Sequence, residues 1–416
     1  MPRWIVLKFG GTSVSDVARW RTIGAEAKAR LAEGLRPVIV CSAIATVSNR
    51  LEALVDRAMD GAHEPILAEI EAIHVRLAGE MGLDAAALLG PRLEELRRLA
   101  LGISLIRDAS ARVRARVMAE GELLSTTLGA AFLRREGLDL AFCDARELLE
   151  ARRAPEANEA RRYLSASCDA APDPDLAARL AAAGGQAILT QGFIARDAAG
   201  DTVLLGRGGS DTSASIFAAR LGAERVEIWT DVPGMFTANP RKVEAARLLR
   251  RLGYEEAQEI ATTGARVLHP GCLEPVRRYG IPLHVRCTNQ PALEGTVISA
   301  TAADASPGVK AISVRSGLTL VSMETLGMWQ QVGFLADVFA IFRRHGISID
   351  SVATSDTNVT VTLDPGANAL DRRALQALAE DLGRHCSVQV VGPCAAISLV
   401  GRNIRSILHR LAPALG

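Results

Sequence analysis

Among the seven cysteines of this 416-residue chain no two are spaced C-x-x-C, and Cys41, Cys143, Cys168, Cys272, Cys287, Cys386 and Cys394 lie far apart. That scatter excludes a disulfide-stapled scaffold and a zinc cluster, so the thiols read as small core residues in a reducing compartment. An excess of either charge is also missing. Lys and Arg number 48 against 47 Asp and Glu, a balance of +1, which leaves nucleic acid and anionic membranes without support as partners. No apolar run approaches the roughly 20 residues of a membrane span. The chain enters a strand by Trp4 without the basic-then-apolar profile of a secretory signal. The expected setting is cytoplasmic and the expected partners are small molecules. Three nucleotide signatures are absent as well: the P-loop G-x-x-x-x-G-K-[ST], the protein-kinase His-Arg-Asp and Asp-Phe-Gly pair, and a dinucleotide G-x-G-x-x-G after a strand. Any phosphoryl transfer must use another fold.

What is present is length and alternation. A chain of this size exceeds one ordinary core, so two or three domains are expected. From Trp4 to about Ile298, apolar runs such as Pro37–Cys41, Gln186–Thr190, Arg225–Thr230 and Ile281–Arg286 alternate with helical patterns, and Pro65 to Met118 reads as helix almost throughout. Strands that are apolar without alternation suit a sheet covered on both faces. The predicted class for residues 1–300 is therefore α/β, a mostly parallel sheet sandwiched by helices. Ala302 to Pro307 has the composition of a linker.

Beyond the linker the period changes. Leu335, Val338, Phe339 and Phe342, then Leu375, Leu378, Ala379 and Leu382, mark two amphipathic helices. Ile347–Ile349, Asn358–Leu363 and Val388–Val390 read as strands, which gives the order βαββαβ, an α+β unit over 308–393. Ala395–Gly401 and Asn403–Leu411 look like the start of a second, incomplete copy over 394–416.

Two glycine clusters carry the chemistry. The strand Trp4–Phe9 ends Lys8-Phe9-Gly10-Gly11-Thr12-Ser13, and Leu205-Gly206-Arg207-Gly208-Gly209-Ser210-Asp211-Thr212 leads into a helix whose C-cap position is Gly222. Each can be a tight turn capped by Thr12 or Ser13, or by Ser210 or Asp211. Each can equally be a cradle of backbone N–H groups for an anion, with Lys8 or Arg207 adding a full positive charge.

The motifs then resemble one family. KFGGTSV at Lys8 to Val14, EGELLS at Glu120 to Ser125, TQGF at Thr190 to Phe193, LGRGGSDTSAS at Leu205 to Ser215, WTDVPGMFTANPR at Trp229 to Arg241 and GARVLHP at Gly264 to Pro270 look like those of aspartate kinases in the amino-acid kinase family, in the family's order. The region after about Lys310 resembles the family's ACT regulatory domains, and MWQQVGFLADVF is similar to the kinase portion of bifunctional aspartate kinase/diaminopimelate decarboxylases. The resemblance implies ATP with Mg2+ as cofactor and transfer of its γ-phosphoryl group to L-aspartate, with Lys8 and Asp211 as the catalytic pair. Substrate contacts would come from Ser42, Ser48, Glu122, Phe193, Arg207 and Ser210. For ATP the matching positions are Gly10, Gly11, Thr12, Gly208, Gly209, Thr230, Asp231, Phe236, Arg241 and Arg266. Phe236 replaces a more common tyrosine and Arg266 a lysine, so altered nucleotide affinity is expected. No residue is assigned to a metal. His269 is expected to be a structural hydrogen-bonding residue.

For the regulatory part the resemblance implies a feedback amino acid, lysine or possibly threonine, at Met328, Gln331, Gly333, Phe334, Leu335, Ile349, Asp350 and Ser355. Asp350 would receive the effector's ammonium while Phe334 and Leu335 close over its stem. Gln330 and Gln331 depart from the His-Ser pair of lysine-sensitive members. A homodimer through the ACT units is expected. Two alternatives stay open, a kinase for glutamate and a non-catalytic amino-acid-binding subunit; the presence of Lys8, Glu122, Arg207 and Asp211 together speaks against the second.

Overall fold

The computed structural model describes residues 2–153, 158–264, 267–302, 308–325, 332–365, 368 and 370–404. Arg266, Met328, Gln330 and Gln331, the linker residues 303–307 and the end of the expected second copy, 405–416, lie outside the described residues. The chain forms two compact units, one up to Gly308 and one over Val309–Val400.

The strands of the first unit are β1 (Trp4–Phe9), β2 (Arg36–Cys41), β3 (Leu140–Phe142), β4 (Ala187–Gln191), β5 (Ile194–Arg196), β6 (Thr202–Leu204), β7 (Val226–Thr230), β8 (Arg251–Leu252), β9 (Leu283–Cys287) and β10 (Thr296–Ile298). Its helices are α1 (Val17–Ala32), α2 (Val47–Met59), α3 (Glu64–Glu80), α4 (Ala85–Ile106), α5 (Ala111–Arg135), α6 (Ala145–Leu148), α7 (Glu159–Leu164), α8 (Pro174–Ala182), α9 (Gly209–Leu221), α10 (Tyr254–Thr262) and α11 (Leu273–Arg278). Eight strands make one sheet in the order β3-β4-β2-β1-β7-β9-β10-β8, and β5 pairs with β6 apart from it. All neighbours from β3 to β9 run parallel, and only the β9–β10 pairing is antiparallel. Every residue of β1 is buried, as the unbroken apolar runs require of a sheet clothed on both sides. No helix among the described residues is long and apolar enough to cross a membrane.

The period of two along β1 sorts its side chains. Ile5, Leu7 and Phe9 join the large apolar cluster built with α1 to α5, through residues such as Trp20, Leu51, Leu96 and Leu128. Lys8 therefore points to the opposite face, against which α9 packs. Phe9 also stacks on Trp229 of β7 with ring centroids 5.7 Å apart, a contact worth about 1 kcal/mol that ties the two strands together beside Lys8. Helix starts follow the usual chemistry: Asp16, Asp84 and Ser110 accept from the N–H groups of Arg19, Ala87 and Val113. This displaces the expected cap at Thr12 or Ser13, because Gly11–Val14 forms a single 3-10 turn before Asp16 starts α1.

The second unit consists of β11 (Gly308–Glu324), α12 (Phe334–Arg344), β12 (Ser351–Thr354), β13 (Asn358–Leu363), α13 (Arg372–Leu382) and β14 (Ser387–Arg402), with sheet order β12-β13-β11-β14. Its core joins Val321, Met323, Val359, Val361 and Leu363 of the sheet to Phe334, Val338, Ile341, Phe342, Leu378 and Leu382 of the helices. Three expectations shift. Leu335 is 42% exposed while its neighbour Phe334 is buried, so the core stripe of α12 is turned by one residue. The strand expected at Ile347–Ile349 begins at Ser351. The two strands expected at Val388–Val390 and Ala395–Gly401 are one continuous strand, β14, because Cys394 and its neighbours stay extended across Pro393.

Candidate active site

A parallel sheet collects the C-terminal ends of its strands on one edge, and the chain reverses its direction of winding at β1, with β2 on one side and β7 on the other. Such a switch point leaves a crevice beyond the strand ends. Lys8 enters it from β1 and Asp211 from the first turn of α9. Their Nζ and Oδ1 atoms lie 2.6 Å apart, and both residues are 9% exposed. The second carboxylate oxygen of Asp211 accepts from the backbone N–H of His269 at 3.2 Å, and His269 Nδ1 in turn accepts from Gly271 N–H. Removing one partner from so buried a pair would strand the other charge.

Glycine is required at two points here. Gly208, with φ 64°, is the N-cap of α9, and a Cβ on it would lie 2.0 Å from His269 Cγ. A Cβ on Gly11 would lie 2.8 Å from the Ala43 carbonyl. Ser210 and Asp211, expected as caps, sit instead inside the first turn, which frees the Asp211 carboxylate for Lys8.

A cavity of about 570 Å³ opens in front of this pair and is lined by Lys8, Gly11, Ser42, Ser48, Glu122, Phe193, Arg207, Gly208, Gly209, Ser210 and Asp211. All six expected substrate residues are thus brought together with the expected catalytic pair. Glu122 is not the solvated helix charge that EGELLS alone could be. Helix α5 is buried on all sides from Glu120 to Ser125, and Glu122 is 3% exposed. Its Oε1 accepts from Ala43 N–H at 3.1 Å, while Oε2 has no partner. Burial pushes its pKa up to about 8, against the backbone N–H groups of Ala43 and of Glu122 itself, which favour the anion. Arg207, by contrast, is exposed and bonds to none of the described residues. One carboxylate wanting a cation and one guanidinium wanting an anion face the same space, the charge pattern of an α-amino acid.

Of the expected nucleotide residues, Gly11, Gly208 and Gly209 line this cavity, whereas Gly10, Thr12, Thr230, Asp231, Phe236 and Arg241 are not part of its lining. Gly10 donates its N–H to the Trp229 carbonyl at 3.2 Å, which puts the glycine turn next to the end of β7. There Thr230 Oγ1 donates to Asp231 Oδ1 at 3.1 Å, and Arg241 Nη2 lies 3.9 Å from Asp231 Oδ2. Phe236 makes an isolated bridge with Leu248. The Thr12 carbonyl accepts from Arg19 and Ser15, so Thr12 itself serves the turn. Thr46, Asn49, Glu52 and Arg114, which belong to none of the sequence motifs, also line the cavity. No turn or charge motif marks them; a φ of 73° at Thr46 is a signal only coordinates carry.

The sequence pattern of the amino acid kinase family matches residues 3–287. The chain is 34% identical to the lysine-sensitive aspartokinase 3 of Escherichia coli over 97% of this chain and 88% of that protein, and 32% identical to the chloroplastic aspartokinase 1 of Arabidopsis thaliana over 95% and 70%. The crystal structure of E. coli aspartokinase III in complex with aspartate and ADP (R-state) superposes with a TM-score of 0.81 at 32% identity, covering 98% of this chain and 91% of that one. The same enzyme with lysine and aspartate (T-state) gives 0.76 at 32% identity, covering 97% and 91%. The chain belongs to the aspartokinases of the amino acid kinase family.

The residues expected to hold an effector fall in the second unit. Gly333, with φ 94°, is the N-cap of α12, Phe334 is buried and Leu335 is exposed. Leu335 is therefore free of the core and Phe334 belongs to it, which separates two residues expected to act together. Ser355 closes the turn to Asn358 through its N–H and Oγ. Asp350 donates its N–H to Thr362, follows Ile349, and holds its carboxylate 3.4 Å from Arg315 Nη1; Asp364 lies 3.7 Å from the same nitrogen. Burial raises the Asp350 pKa despite the guanidinium.

Proposed function

We propose that this aspartokinase transfers the γ-phosphoryl group of ATP to the side-chain carboxylate of L-aspartate, giving ADP and 4-phospho-L-aspartate, in the synthesis of lysine and its sister amino acids. The observation that carries the reading is the placement of the Lys8–Asp211 pair at one wall of a cavity whose other walls present Glu122 and Arg207. Glu122 takes the substrate's ammonium on its unpartnered Oε2, and Arg207 takes the α-carboxylate. Ser42, Ser48, Phe193 and Ser210 complete the pocket. The side-chain carboxylate is left facing Lys8.

That carboxylate is ionised at neutral pH, so the nucleophile needs no strong base. One of its oxygens bonds the γ-phosphorus while the bond to the ADP oxygen breaks, and the task left to the protein is positioning and charge neutralisation. Lys8 meets the charge on the phosphoryl group in transit. Asp211, held by the His269 N–H, keeps the ammonium of Lys8 from swinging away. Backbone N–H groups of Gly11 and Gly208 and the N-terminus of α9 add partial positive charge, while Gly10 and Gly209, whose N–H groups bond the carbonyls of Trp229 and Gly206, shape the two turns. Thr230, Asp231, Phe236, Arg241 and Arg266 are assigned to the nucleotide. Magnesium supplies further charge neutralisation when bound.

Feedback by an end-product amino acid, lysine first, is assigned to the second unit. The lysine sensitivity of the E. coli relative supports lysine as the effector. A homodimer through the second unit is supported by the apolar side chains it leaves open, Ile312, Val314, Val352 and Ile397, each at least 45% exposed. All seven cysteines are unpaired, in keeping with a cytoplasmic setting. A coupled ADP-release assay with aspartate, glutamate or no acceptor tests the reading. Release with aspartate alone is expected; equal release with glutamate, or release without acceptor, refutes the assignment.

A further inference from the structure

The loop Ser42–Thr46 between β2 and α2 is stitched to the site by three backbone donors. Ser42 N–H bonds to Phe9 O at 3.2 Å, Ala45 N–H to Gly11 O at 3.1 Å, and Ala43 N–H to Glu122 Oε1 at 3.1 Å. It ends on Thr46, at φ 73° and ψ −15°. A β-branched side chain enters that left-handed region only under constraint. Among the described residues four non-glycines have positive φ, and two of them, Thr46 and Phe193, line the cavity in front of Lys8. The constraint on Thr46 is visible. Its hydroxyl accepts from Arg50 Nη1 at 2.5 Å, and Arg50 Nε bonds Glu69 Oε2 of α3 at 2.9 Å. Although Thr46 stands at the N-cap of α2, its side chain makes no capping bond to the helix backbone. The hydroxyl is spent on Arg50 alone.

We propose that Glu69, Arg50 and Thr46 form a bracket that positions the amino-acid substrate, by holding the loop so that Ala43 N–H stays on Oε1 of Glu122 and Oε2 stays turned to the cavity. Thr46 is then a positioning residue for Glu122. A glycine at this position would accept the same φ without strain but would give up the hydroxyl and let the loop sample other conformations. The bracket acts on recognition of the ammonium group and not on the Lys8–Asp211 pair, which hangs on β1 and α9. The inference rests on the aspartate reading above.

The test is steady-state kinetics on the full chain. Thr46→Gly is expected to raise the aspartate KM five- to tenfold, with kcat and the ATP KM within about twofold and a melting temperature no lower than the wild type. Arg50→Met should reproduce the KM change, the double variant should be no worse than either single one, and Thr46→Ser, which keeps the hydroxyl, should restore most of the affinity. The pH at which the aspartate KM levels off should also move upward in Thr46→Gly, because the loosened Ala43 N–H no longer favours the carboxylate. Unchanged aspartate KM in both Thr46→Gly and Arg50→Met overturns the bracket. So does a parallel fall of kcat, both affinities and melting temperature, which marks mere scaffolding. Wild-type enzyme that releases no ADP with aspartate overturns the substrate assignment itself, and the bracket with it.

Discussion

In the first unit a carboxylate is buried with one oxygen unmet; in the second, Asp350 keeps an arginine 3.4 Å away. Glu122 has surrendered its water and received only backbone N–H groups in return, so a cationic ligand group restores most of what burial removed. Asp350 already has a counter-ion, and an incoming ammonium gains only the difference between two ion pairs. The first arrangement suits tight, orienting recognition that prepares a reaction. The second suits weak binding that can be tuned, as a regulator needs.

The largest effect that could break this contrast belongs to neither carboxylate. Lys8→Ala should cut turnover by about 10³-fold or more while aspartate still binds, as titration calorimetry would show; near-normal turnover would remove Lys8 from the chemistry. Next, Glu122→Gln should raise the aspartate KM by about 10²-fold, because it replaces a charge-assisted contact inside a dry pocket. If Glu122→Gln shifts only kcat, the ammonium goes elsewhere.

The contrast also has a pH signature. Only ionised Glu122 can receive an ammonium, and its pKa lies at about 8, so the aspartate KM should fall as pH rises from 6 towards 8, by close to tenfold per unit at the acid end. Unliganded stability should run the other way. The folded pKa is raised, so the protonated form is the one that folding favours, and that contribution fades as pH rises through about 8. Glu122→Gln should flatten both profiles, which thermal melts and initial rates would record.

Smaller effects are expected in the second unit. Asp350→Ala should raise the lysine concentration for half-inhibition about tenfold, by loss of a partly exposed ion pair, with far less change in the uninhibited rate. Arg315→Gln should lower it a few-fold by removing the competing cation. Equal inhibition in wild type and Asp350→Ala would move the effector site elsewhere. Smallest of all, Leu335→Ala should cost less than about 0.5 kcal/mol in a denaturation melt, since the side chain is 42% exposed.

The parts of this molecule legible in the sequence are those with a short-range cause. Parallel strands show as unbroken apolar runs, and β1, β2, β4 and β7 lie within a residue or two of where those runs predict them. Gly10, Gly11, Gly208 and Gly209 announce backbone approach by having no side chain to obstruct it. Phase errors arise where one residue of rotation decides burial: Leu335 and Phe334 are both apolar, and only packing on β13 and α13 chooses between them. The depth of Glu122 was not legible either, because α5 is enclosed by elements from distant parts of the chain. Nor was Thr46, whose backbone conformation leaves no mark in composition.

The sheet order carries one more consequence, for how the chain comes to be folded. Strand β1 is the first to be made, and Lys8 pairs in register with Val40 on one side but with Ile228 on the other. Until most of the first unit has left the ribosome, one flank of that strand has no native neighbour, and its hydrogen-bonding groups and apolar side chains must be shielded by something temporary. Long-range closure of this kind slows folding and exposes nascent chains to aggregation. The price of seating Lys8 at the centre of the sheet is a strand, β1, that waits for β7 until most of the first unit has been made.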